Sequence, residues 1–446
     1  MLSRVLIANR GEIARRVIRA CRRLGIHAIA VYSEADRDWP HVRDADEAVA
    51  IGPAPARESY LDMDRLLEAA RTSGAEAVHP GYGFLSENWR FARACEEAGL
   101  AWIGPPWRVI RDMGDKVGAR RLMAAAGVPV VPGSDGVVET VDAAREVAAR
   151  VGYPIFLKAT AGGGGIGMAR VGDESALAAA FAAAQRRSQA AFGTAALFVE
   201  RFLEAPRHVE VQVMGDRHGG VVHLHERECS IQRRHQKLIE ETPAPGLSAA
   251  LKEHLTAAAV SGARAVGYVS AGTLEFIVRG EEFYFLEMNT RLQVEHPVTE
   301  EVTGVDLVQA QLRVASGEPL PWAQHEIVQR GASIECRIYA EDPAKNFLPS
   351  PGRITRLVLP EGPGIRLECG VAEGVEVSVH YDPLLAKLVA TGATRAQAIA
   401  RLEGALDGFV VEGVKTVIPF HRRVLASDAF RAGTVHTQMV DQGAFR

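Results

Sequence analysis

The sequence lacks any run of about twenty apolar residues, the length that a helix needs to cross a bilayer. We therefore expect no membrane span, although 47% of the 446 residues are hydrophobic. Cysteine is scarce, and the five cysteines form no CxxC pair, which favours free thiols in a reducing cytoplasm and no structural zinc. The formal net charge of -4 argues against bulk binding of nucleic acid.

Two common nucleotide-binding motifs are missing as well. The first turn of the chain, residues 9–12, has one glycine where a dinucleotide fingerprint needs three. A glycine run, AGGGGIGM (161–168), occurs later in the chain, but it does not fit the GxxxxGK[ST] pattern of a Walker loop. The sequence therefore predicts neither a nicotinamide site nor a Walker-type phosphate loop.

The pattern of apolar runs that is present predicts an α/β protein of three domains. Over residues 1–115, short apolar runs alternate with helical patterns, which indicates a doubly wound unit with a parallel sheet. Residues 116–330 are predicted to form a central domain, with a mobile glycine-rich lid over about residues 131–203. Short alternating segments over residues 331–446 indicate a mainly antiparallel β domain.

The residue types that carry chemistry are concentrated in the stretch EMNTRLQVEHPVTE (287–300). Few structural segments need carboxylates, amides, an arginine and a histidine so close together. An aromatic run directly before this stretch predicts a buried strand. A second strand is predicted at residues 272–280, so the two strands should form an antiparallel hairpin with a turn at Gly280.

Two acids face each other in this hairpin if it folds symmetrically about Glu281. Glu275 and Glu287 are each six residues from that position. Directly facing like charges are destabilising, so a cation should lie between them. Asn289 adds a neutral oxygen on the same face, and an all-oxygen set suits Mg²⁺ better than Zn²⁺. The alternative is that both acids are solvated residues of an edge hairpin.

The alternation continues beyond the hairpin. If the chain stays extended, Arg291, Gln293 and Glu295 carry hydrogen-bond donors and a carboxylate away from the predicted metal along one wall. This layout suits an anionic substrate beside a metal-bound phosphate.

A strand that ends near Lys158 comes directly before the glycine run 161–168. Backbone N–H groups without a Cβ can approach an anion closely, and the lysine adds a point charge. We expect a lid that closes over a triphosphate, with a flexible linker as the alternative.

Two further segments are open to two interpretations each. The strand that begins at His208 alternates polar and apolar residues, but this pattern does not distinguish a polar face that lines a cleft from one that meets solvent. The segment 226–245 is dense in charge. A solvated loop is its default interpretation, and anion contacts are the alternative.

Taken together, the lysine strand, the alternating strand, RRHQK (233–237) and EMNTRLQVEHPVTE resemble the ATP-grasp enzymes. More narrowly, they resemble the biotin carboxylase component of biotin-dependent carboxylases. The resemblance extends over nearly the whole chain, from IANRGEIA (7–14) to FLPSPG (347–352). It implies an ATP-grasp ligase in which residues 116–330 form the ATP-grasp domain, between the N-terminal and C-terminal biotin carboxylase domains.

The resemblance also implies roles for individual residues. The ATP site would comprise Lys116, Lys158, Gly163, Gly164, Gly165, Glu200, Arg201, Phe202, Leu203, His208, Gln232, His235, Glu275 and Glu287. Two Mg²⁺ or Mn²⁺ ions would be ligated by Glu275, Glu287 and Asn289. Bicarbonate would be held by Lys237, Arg291, Gln293 and the backbone of Val294. The catalytic residues would be Glu295, Arg291, Arg337 and Lys237. Glu295 would be the general base, and Arg337 would steady the enolate of biotin, with Arg291 helping to balance the negative charge.

The implied reaction is the carboxylation of biotin by bicarbonate and ATP through carboxyphosphate. The sequence has no AMKM-type biotinylation motif, so we expect the biotin on a separate carrier protein, with carboxyltransferase subunits as further partners. We also expect a homodimer in the cytoplasm, with no nucleic-acid or membrane partner. Ile166 departs from the family, in which a basic residue usually follows the glycines, so one lid contact is expected to be missing.

The expected acceptor is acetyl-CoA, in fatty acid synthesis. The alternatives are the biotin carboxylase subunit of a propionyl-CoA, methylcrotonyl-CoA or pyruvate carboxylase, and another ATP-grasp ligase that joins a carboxylate to an amine. A third interpretation is a nucleotide-sensing protein without turnover, against which stands the presence of Glu295 and Arg337.

Overall fold

A computed structural model describes residues 1–159 and 168–446. The predictions for Gly163, Gly164, Gly165 and Ile166 lie outside the described residues. Within the described ranges, no helix is both long and apolar enough to cross a bilayer.

The N-terminal part folds as a parallel sheet covered by helices. Its elements are β1 (Arg4–Ile7), α1 (Gly11–Arg23), β2 (His27–Tyr32), α2 (Pro40–Asp44), β3 (Glu47–Ala50), α3 (Met63–Thr72), β4 (Ala77–His79), α4 (Trp89–Glu97), β5 (Ala101–Trp102) and α5 (Trp107–Gly114). The strand order is β3-β2-β1-β4-β5, and all neighbouring strands are parallel. The predicted doubly wound fold is confirmed, because the apolar strands are buried between two layers of helices.

The central part contains a small antiparallel sheet and most of the main sheet. Its elements are α6 (Lys116–Ala125), α7 (Val141–Val151), β6 (Ile155–Ala159), β7 (Met168–Val171), α8 (Glu174–Phe192), β8 (Leu197–Arg201), β9 (Arg207–Gly215), β10 (Val221–Arg233), β11 (Gln236–Thr242), α9 (Ala249–Ala265), β12 (Ser270–Arg279), β13 (Glu282–Asn289), α10 (His296–Thr303) and α11 (Leu307–Ala315). The small sheet, β7-β6-β8, packs against α7 and α8 around its own apolar core. This subdomain falls inside the range predicted for the lid.

The C-terminal part is mainly antiparallel, as predicted. Its elements are β14 (Ala332–Tyr339), β15 (Glu341–Asp342), β16 (Leu348–Pro349), β17 (Gly352–Arg353), β18 (Arg356–Val358), β19 (Ile365–Cys369), β20 (Glu376–Val377), β21 (Leu384–Gly392), α12 (Arg395–Gly408), β22 (Val410–Glu412), α13 (Ile418–Ala426) and α14 (Asp428–Ala432). Three of these strands extend the main sheet, whose order is β13-β12-β9-β10-β11-β14-β21-β19. Because β11 pairs with β14, one continuous sheet joins the central and C-terminal parts.

The two faces of the main sheet differ in polarity. On β9, Val209, Val211 and Val213 pack into an apolar core beneath α9. The polar residues that alternate with them face the opposite side, which α10 covers in part. His208, Glu210 and Gln212 are buried like the valines that alternate with them, so this polar face does not meet solvent.

The prediction of a solvated charged loop at residues 226–245 is wrong. It consists mostly of β10 and β11, joined by a tight turn at Arg234 and His235. Both turn residues have positive φ angles, 48° and 67°, as in the two-residue turns that match the twist of a hairpin. The hairpin brings Lys237 back into the buried polar face of the sheet.

The histidine at position 41 gives the fold a measurable sensitivity to acid. Burial lowers the pKa of His41 to about 4, whereas an unfolded histidine takes up a proton below about pH 6.5. The neutral folded form should therefore lose stability as the pH falls from about 6.5 towards 4, by about 1.4 kcal/mol per pH unit. Urea unfolding of His41→Gln should show a smaller loss than the parent over this range.

The exposed His254 on α9 provides a matched control. The variant His254→Gln should follow the parent chain at every pH. Equal acid slopes for His41→Gln and the parent would contradict the assignment of this effect to His41.

Candidate active site

The facing pair of acids predicted in the hairpin is confirmed. Glu275 on β12 is the direct cross-strand partner of Glu287 on β13. The turn is not centred on Glu281, since the pair nearest the turn is Arg279 with Glu282. An irregularity after Glu275 shifts the register by one residue, as a β-bulge does, and this shift brings the two acids opposite each other.

Glu275 is buried, and its charge is balanced by protein groups. It accepts hydrogen bonds from Lys237 Nζ at 2.8 Å and from Gln293 Nε2 at 2.9 Å, and His208 Nε2 lies 3.2 Å away. Burial alone would raise the pKa of Glu275, but Lys237 and His208 hold it well below the usual value. The lysine ammonium thus supplies part of the positive charge expected beside this acid.

Glu287 has a different environment. Its side chain is 43% exposed, and Lys116 Nζ is 4.0 Å from its carboxylate. Partial burial and the negative charge of Glu275 raise the pKa of Glu287. This carboxylate therefore remains short of positive charge and open to the cleft.

Lys237 is the centre of the buried network. Its ammonium group donates to Glu210 at 2.6 Å, to Glu275 at 2.8 Å and to Glu295 at 2.6 Å. Burial alone would lower the pKa of Lys237, but the three carboxylates raise it well above the usual value. The lysine is therefore held as a cation with all three of its protons engaged.

Glu295 joins this network to the C-terminal part of the chain. Its second oxygen accepts a hydrogen bond from Arg337 Nη2 at 3.0 Å. Burial alone would raise the pKa of Glu295, but Lys237, Arg337 and Arg227 hold it well below the usual value. Arg337 also donates through Nε to Glu240 at 2.6 Å. The proposed base and the proposed biotin contact are thus in direct contact.

Arg227 is a residue that the sequence interpretation missed. It is fully buried on β10, directly across from Glu210 on β9. Its guanidinium donates to Glu210 at 2.6 Å, to Gln212 at 2.7 Å and to Gln293 at 2.6 Å. Strand alternation within residues 226–233 could have revealed it, but the density of charge there indicated a loop.

Arg291 links the hairpin to the N-terminal part. It donates to Asn289 Oδ1 at 2.8 Å and to Glu87, a second missed residue, at 3.0 Å. Its side chain is 20% exposed, so it lies at the cleft wall and not in bulk solvent. The Asn289 oxygen predicted as a metal ligand is thus within reach of this arginine.

The loop before α10 is fixed through its carbonyl groups. Lys387 Nζ donates to the carbonyl oxygen of Val294 at 2.8 Å. The carbonyl oxygen of Gln293 lies 2.8 Å from His296 Nδ1, which holds the neighbouring peptide plane. These contacts set the orientation of the backbone that the sequence predicts to hold bicarbonate.

Several residues predicted around the nucleotide lie on the small sheet β7-β6-β8 or directly after it. Lys158 on β6 forms an ion pair with Glu200 on β8, and Arg120 Nη1 is 2.5 Å from the same carboxylate. Phe202 and Leu203 directly follow β8 and are buried.

Three further residues predicted at the nucleotide lie at the end of β8 or along the β10–β11 hairpin. Arg201 reaches from β8 to Glu282 on β13, with 3.5 Å between Nη2 and the carboxylate. Gln232 is buried as the cross-strand partner of Lys237. His235 lies in the turn after β10, where partial burial lowers its pKa.

The predicted metal ligands suit a hard divalent cation by their chemistry. Glu275, Glu287 and Asn289 offer only oxygen donors, and Glu287 is a partly solvated carboxylate short of positive charge. Two other groups of ligand atoms converge within 4.8 Å in the described part of the chain, namely His208, Glu210 and Glu275, and Glu210, Cys229 and Glu295. Lys237 already contacts acids of both groups, which makes a second cation there unfavourable.

Removal of the buried guanidinium at position 227 should destabilise the fold. Arg227→Met leaves Glu210 with one cationic partner and takes donors from Gln212 and Gln293. Breaking a buried pair from one side typically costs about 3–5 kcal/mol. Urea unfolding should show a loss of this size.

The exposed pair Arg356–Glu412, whose side chains are 59% and 52% exposed, gives the control. Arg356→Met should change stability by less than about 1 kcal/mol. Similar small effects of both substitutions would show that the buried network does not carry this stabilisation.

Models of known protein families match the chain almost from end to end. Residues 1–110 match the biotin carboxylase N-terminal domain. Residues 115–323 match the ATP binding domain of the carbamoyl-phosphate synthase L chain, and residues 335–442 match the biotin carboxylase C-terminal domain.

Individual proteins are similar over the same length. A biotin carboxylase of Halalkalibacterium halodurans is 54% identical over 441 residues, which cover 99% of this chain and 97% of that protein. A pyruvate carboxylase subunit of Methanothermobacter thermautotrophicus is 52% identical over 443 residues, covering 99% and 90%. The crystal structure of the biotin carboxylase domain dimer of Hydrogenobacter thermophilus 2-oxoglutarate carboxylase, in complex with MgADP, ADP and bicarbonate, is 47% identical. It covers 100% of this chain and 98% of that one, with a TM-score of 0.93.

Proposed function

The chain belongs to the biotin carboxylase family of ATP-grasp ligases, and from this premise we propose that it carboxylates biotin carried on a separate protein. The reaction consumes ATP and bicarbonate and passes through carboxyphosphate. The observation that carries the proposal is the buried network in which Lys237 and Arg337 both contact Glu295. This network brings two cations from the polar face of the sheet together with the carboxylate of Glu295 from the loop before α10.

Bicarbonate is proposed to bind where the loop 293–295 meets the cleft. Lys237 and Arg291 supply positive charge, while Gln293 and the backbone of Val294 fix the orientation of the anion. Glu295 takes the proton of bicarbonate as an oxygen of bicarbonate attacks the γ-phosphoryl group of ATP. The products of this step are ADP and carboxyphosphate.

The phosphate groups of ATP are proposed to lie between the lid and the hairpin. Lys158 and Lys116 contribute positive charge from the two sides, and His208 adds a donor at the base of the cleft. Two Mg²⁺ or Mn²⁺ ions held by Glu275, Glu287 and Asn289 would neutralise charge on the transferred phosphoryl group. The proposal is consistent with the MgADP and bicarbonate in the related Hydrogenobacter domain.

Biotin is proposed to enter beside Arg337. Carboxyphosphate breaks down to CO₂ and phosphate, and the phosphate takes the ureido N–H proton of biotin. The enolate oxygen is then stabilised by Arg337, a cation that burial does not neutralise. The ureido nitrogen attacks CO₂ and forms carboxybiotin.

The acceptor of the carboxyl group is proposed to be acetyl-CoA, for fatty acid synthesis in the cytoplasm. The similar proteins carry the names biotin carboxylase, pyruvate carboxylase and 2-oxoglutarate carboxylase. The alternatives are a propionyl-CoA, methylcrotonyl-CoA or pyruvate carboxylase. The Hydrogenobacter relative adds a 2-oxoglutarate carboxylase to these alternatives. We also propose a homodimer that works with a biotin carboxyl carrier protein and carboxyltransferase subunits, since the Hydrogenobacter domain is a dimer.

The release of ADP by the purified chain tests the proposed reaction. It should depend on bicarbonate and increase when free biotin is added. Release that depends instead on an amine and a carboxylic acid would indicate a different ATP-grasp ligase. No release under any of these conditions would indicate a nucleotide sensor.

Replacement of the proposed base separates chemistry from nucleotide binding. Glu295→Gln keeps the size of the side chain but cannot accept the proton, so bicarbonate-dependent turnover should fall by roughly 100-fold or more. ATP affinity, measured by calorimetry, should change little. Glu253→Gln, at an exposed position of α9, should behave as the parent, and an unchanged turnover for Glu295→Gln would refute the assigned role.

A further inference from the structure

Two buried acids lie side by side behind Arg337. Glu240 on β11 and Glu335 on β14 are direct cross-strand partners in the antiparallel ladder. Directly opposite residues project to the same face, with Cβ atoms about 5 Å apart. Neither residue has any exposed surface. The pair therefore places two carboxyl groups together in a region without access to water.

Within the described residues, only one of the four carboxylate oxygens of these two acids accepts a hydrogen bond. Oε1 of Glu240 accepts a hydrogen bond from Arg337 Nε at 2.6 Å. Oε2 of Glu240 and both oxygens of Glu335 are buried and have no hydrogen-bond partner elsewhere in residues 1–159 and 168–446. A proton on one acid would remove one of two adjacent like charges and supply a donor next to these oxygens.

The charged groups around Glu335 do not favour a second anion. Lys387 on β21 is the main favourable charge, but its ammonium already contacts Glu12 at 3.1 Å and the carbonyl oxygen of Val294 at 2.8 Å. Arg337 is shared with Glu240 and Glu295, both of which add negative charge. Burial raises the pKa of Glu240 to about 7 even though Arg337 lowers it. Burial, together with the charges of Glu240 and Glu295, raises the pKa of Glu335 well above its usual value, so Glu335 is the acid of the pair that takes up a proton first.

We propose that Glu335 is a neutral carboxylic acid that donates its proton to Glu240. Glu240 then remains the anion that holds Arg337 through Nε and Nη2, while Nη2 also contacts Glu295. Glu335 and Glu240 are thus positioning residues for the second half-reaction. This role rests on the proposed function of Arg337.

Which of the two acids carries the proton determines the position of Arg337. If both acids were ionised, the added negative charge would draw the guanidinium away from Glu295. If Glu240 were the neutral partner, its carbonyl oxygen could still accept from Nε, but its charge would no longer offset the attraction of Arg337 to Glu295. Only a proton on Glu335 balances the two contacts.

Isosteric substitutions distinguish the two acids. The amide of Glu335→Gln can donate a hydrogen bond as the acid does, so carboxylation of free biotin should stay within roughly threefold of the parent. Glu240→Gln removes the anion and should lower the kcat of biotin carboxylation by roughly tenfold or more, with a smaller effect on bicarbonate-dependent ATP cleavage. The variant Arg337→Ala gives the loss of biotin carboxylation that is expected when the guanidinium is absent.

Infrared spectroscopy tests the proton directly and independently of turnover. The spectrum of the parent minus that of Glu335→Gln at neutral pH should contain the carbonyl stretch of a protonated carboxylic acid, which shifts in D₂O. The absence of this band would overturn the proposal. Equal losses of biotin carboxylation in Glu335→Gln and Glu240→Gln would overturn it too. ATP cleavage by the parent that did not depend on bicarbonate would reject the proposed function and leave the infrared result to decide the state of the pair.

Discussion

The cost of burying carboxylates dominates the site. Glu210, Glu275, Glu240 and Glu335 lie on the polar face of the main sheet, and Glu295 joins them from the loop before α10, all with little or no exposed surface. An ionised carboxylate without a partner would be very costly there. The buried cations, Lys237, Arg227 and Arg337, are each shared between two or more polar partners. The arrangement of this face is therefore fixed by charge balance as much as by packing.

The sheet supplies this balance because its strands come from distant parts of the sequence. The polar face collects residues from β9, β10, β11, β12 and β14, which span more than half of the described sheet order. On the apolar face, β9, β10 and β12 pack into the core beneath α9, and β11 and β14 pack into the core of the C-terminal part. A slip of one residue on any strand would exchange the two faces. Hydrophobic packing on one side thus fixes the geometry of the charges on the other.

The sequence predicted those features that depend on local periodicity. The parallel N-terminal sheet, the antiparallel C-terminal strands and the β12–β13 hairpin follow from alternation and turn signals. The pair Glu275–Glu287 was predicted from a turn centred on Glu281, but it forms because a register shift offsets the different position of the turn. Glu240 could not be predicted in this way, because it lies three residues after Lys237 and would face the other side of a regular strand. A register shift between the β10–β11 pairs of Ile231 and Gln232 returns Glu240 to the polar face. Nor could the sequence predict that the polar side of β9 is buried, since this burial depends on helices from other parts of the chain.

The strength of Glu295 as a base depends on its contacts with Lys237 and Arg337. A carboxylate whose pKa is held well below its usual value by Lys237 and Arg337 is a weak acceptor for the proton of bicarbonate. The same lysine is proposed to bind bicarbonate, and it has no proton left over after its three acids. To contact the anion it must loosen at least one of those contacts. If the contact with Glu295 is the one that yields, binding of the substrate itself raises the pKa of Glu295. The buried network would then hold the base inactive until bicarbonate arrives.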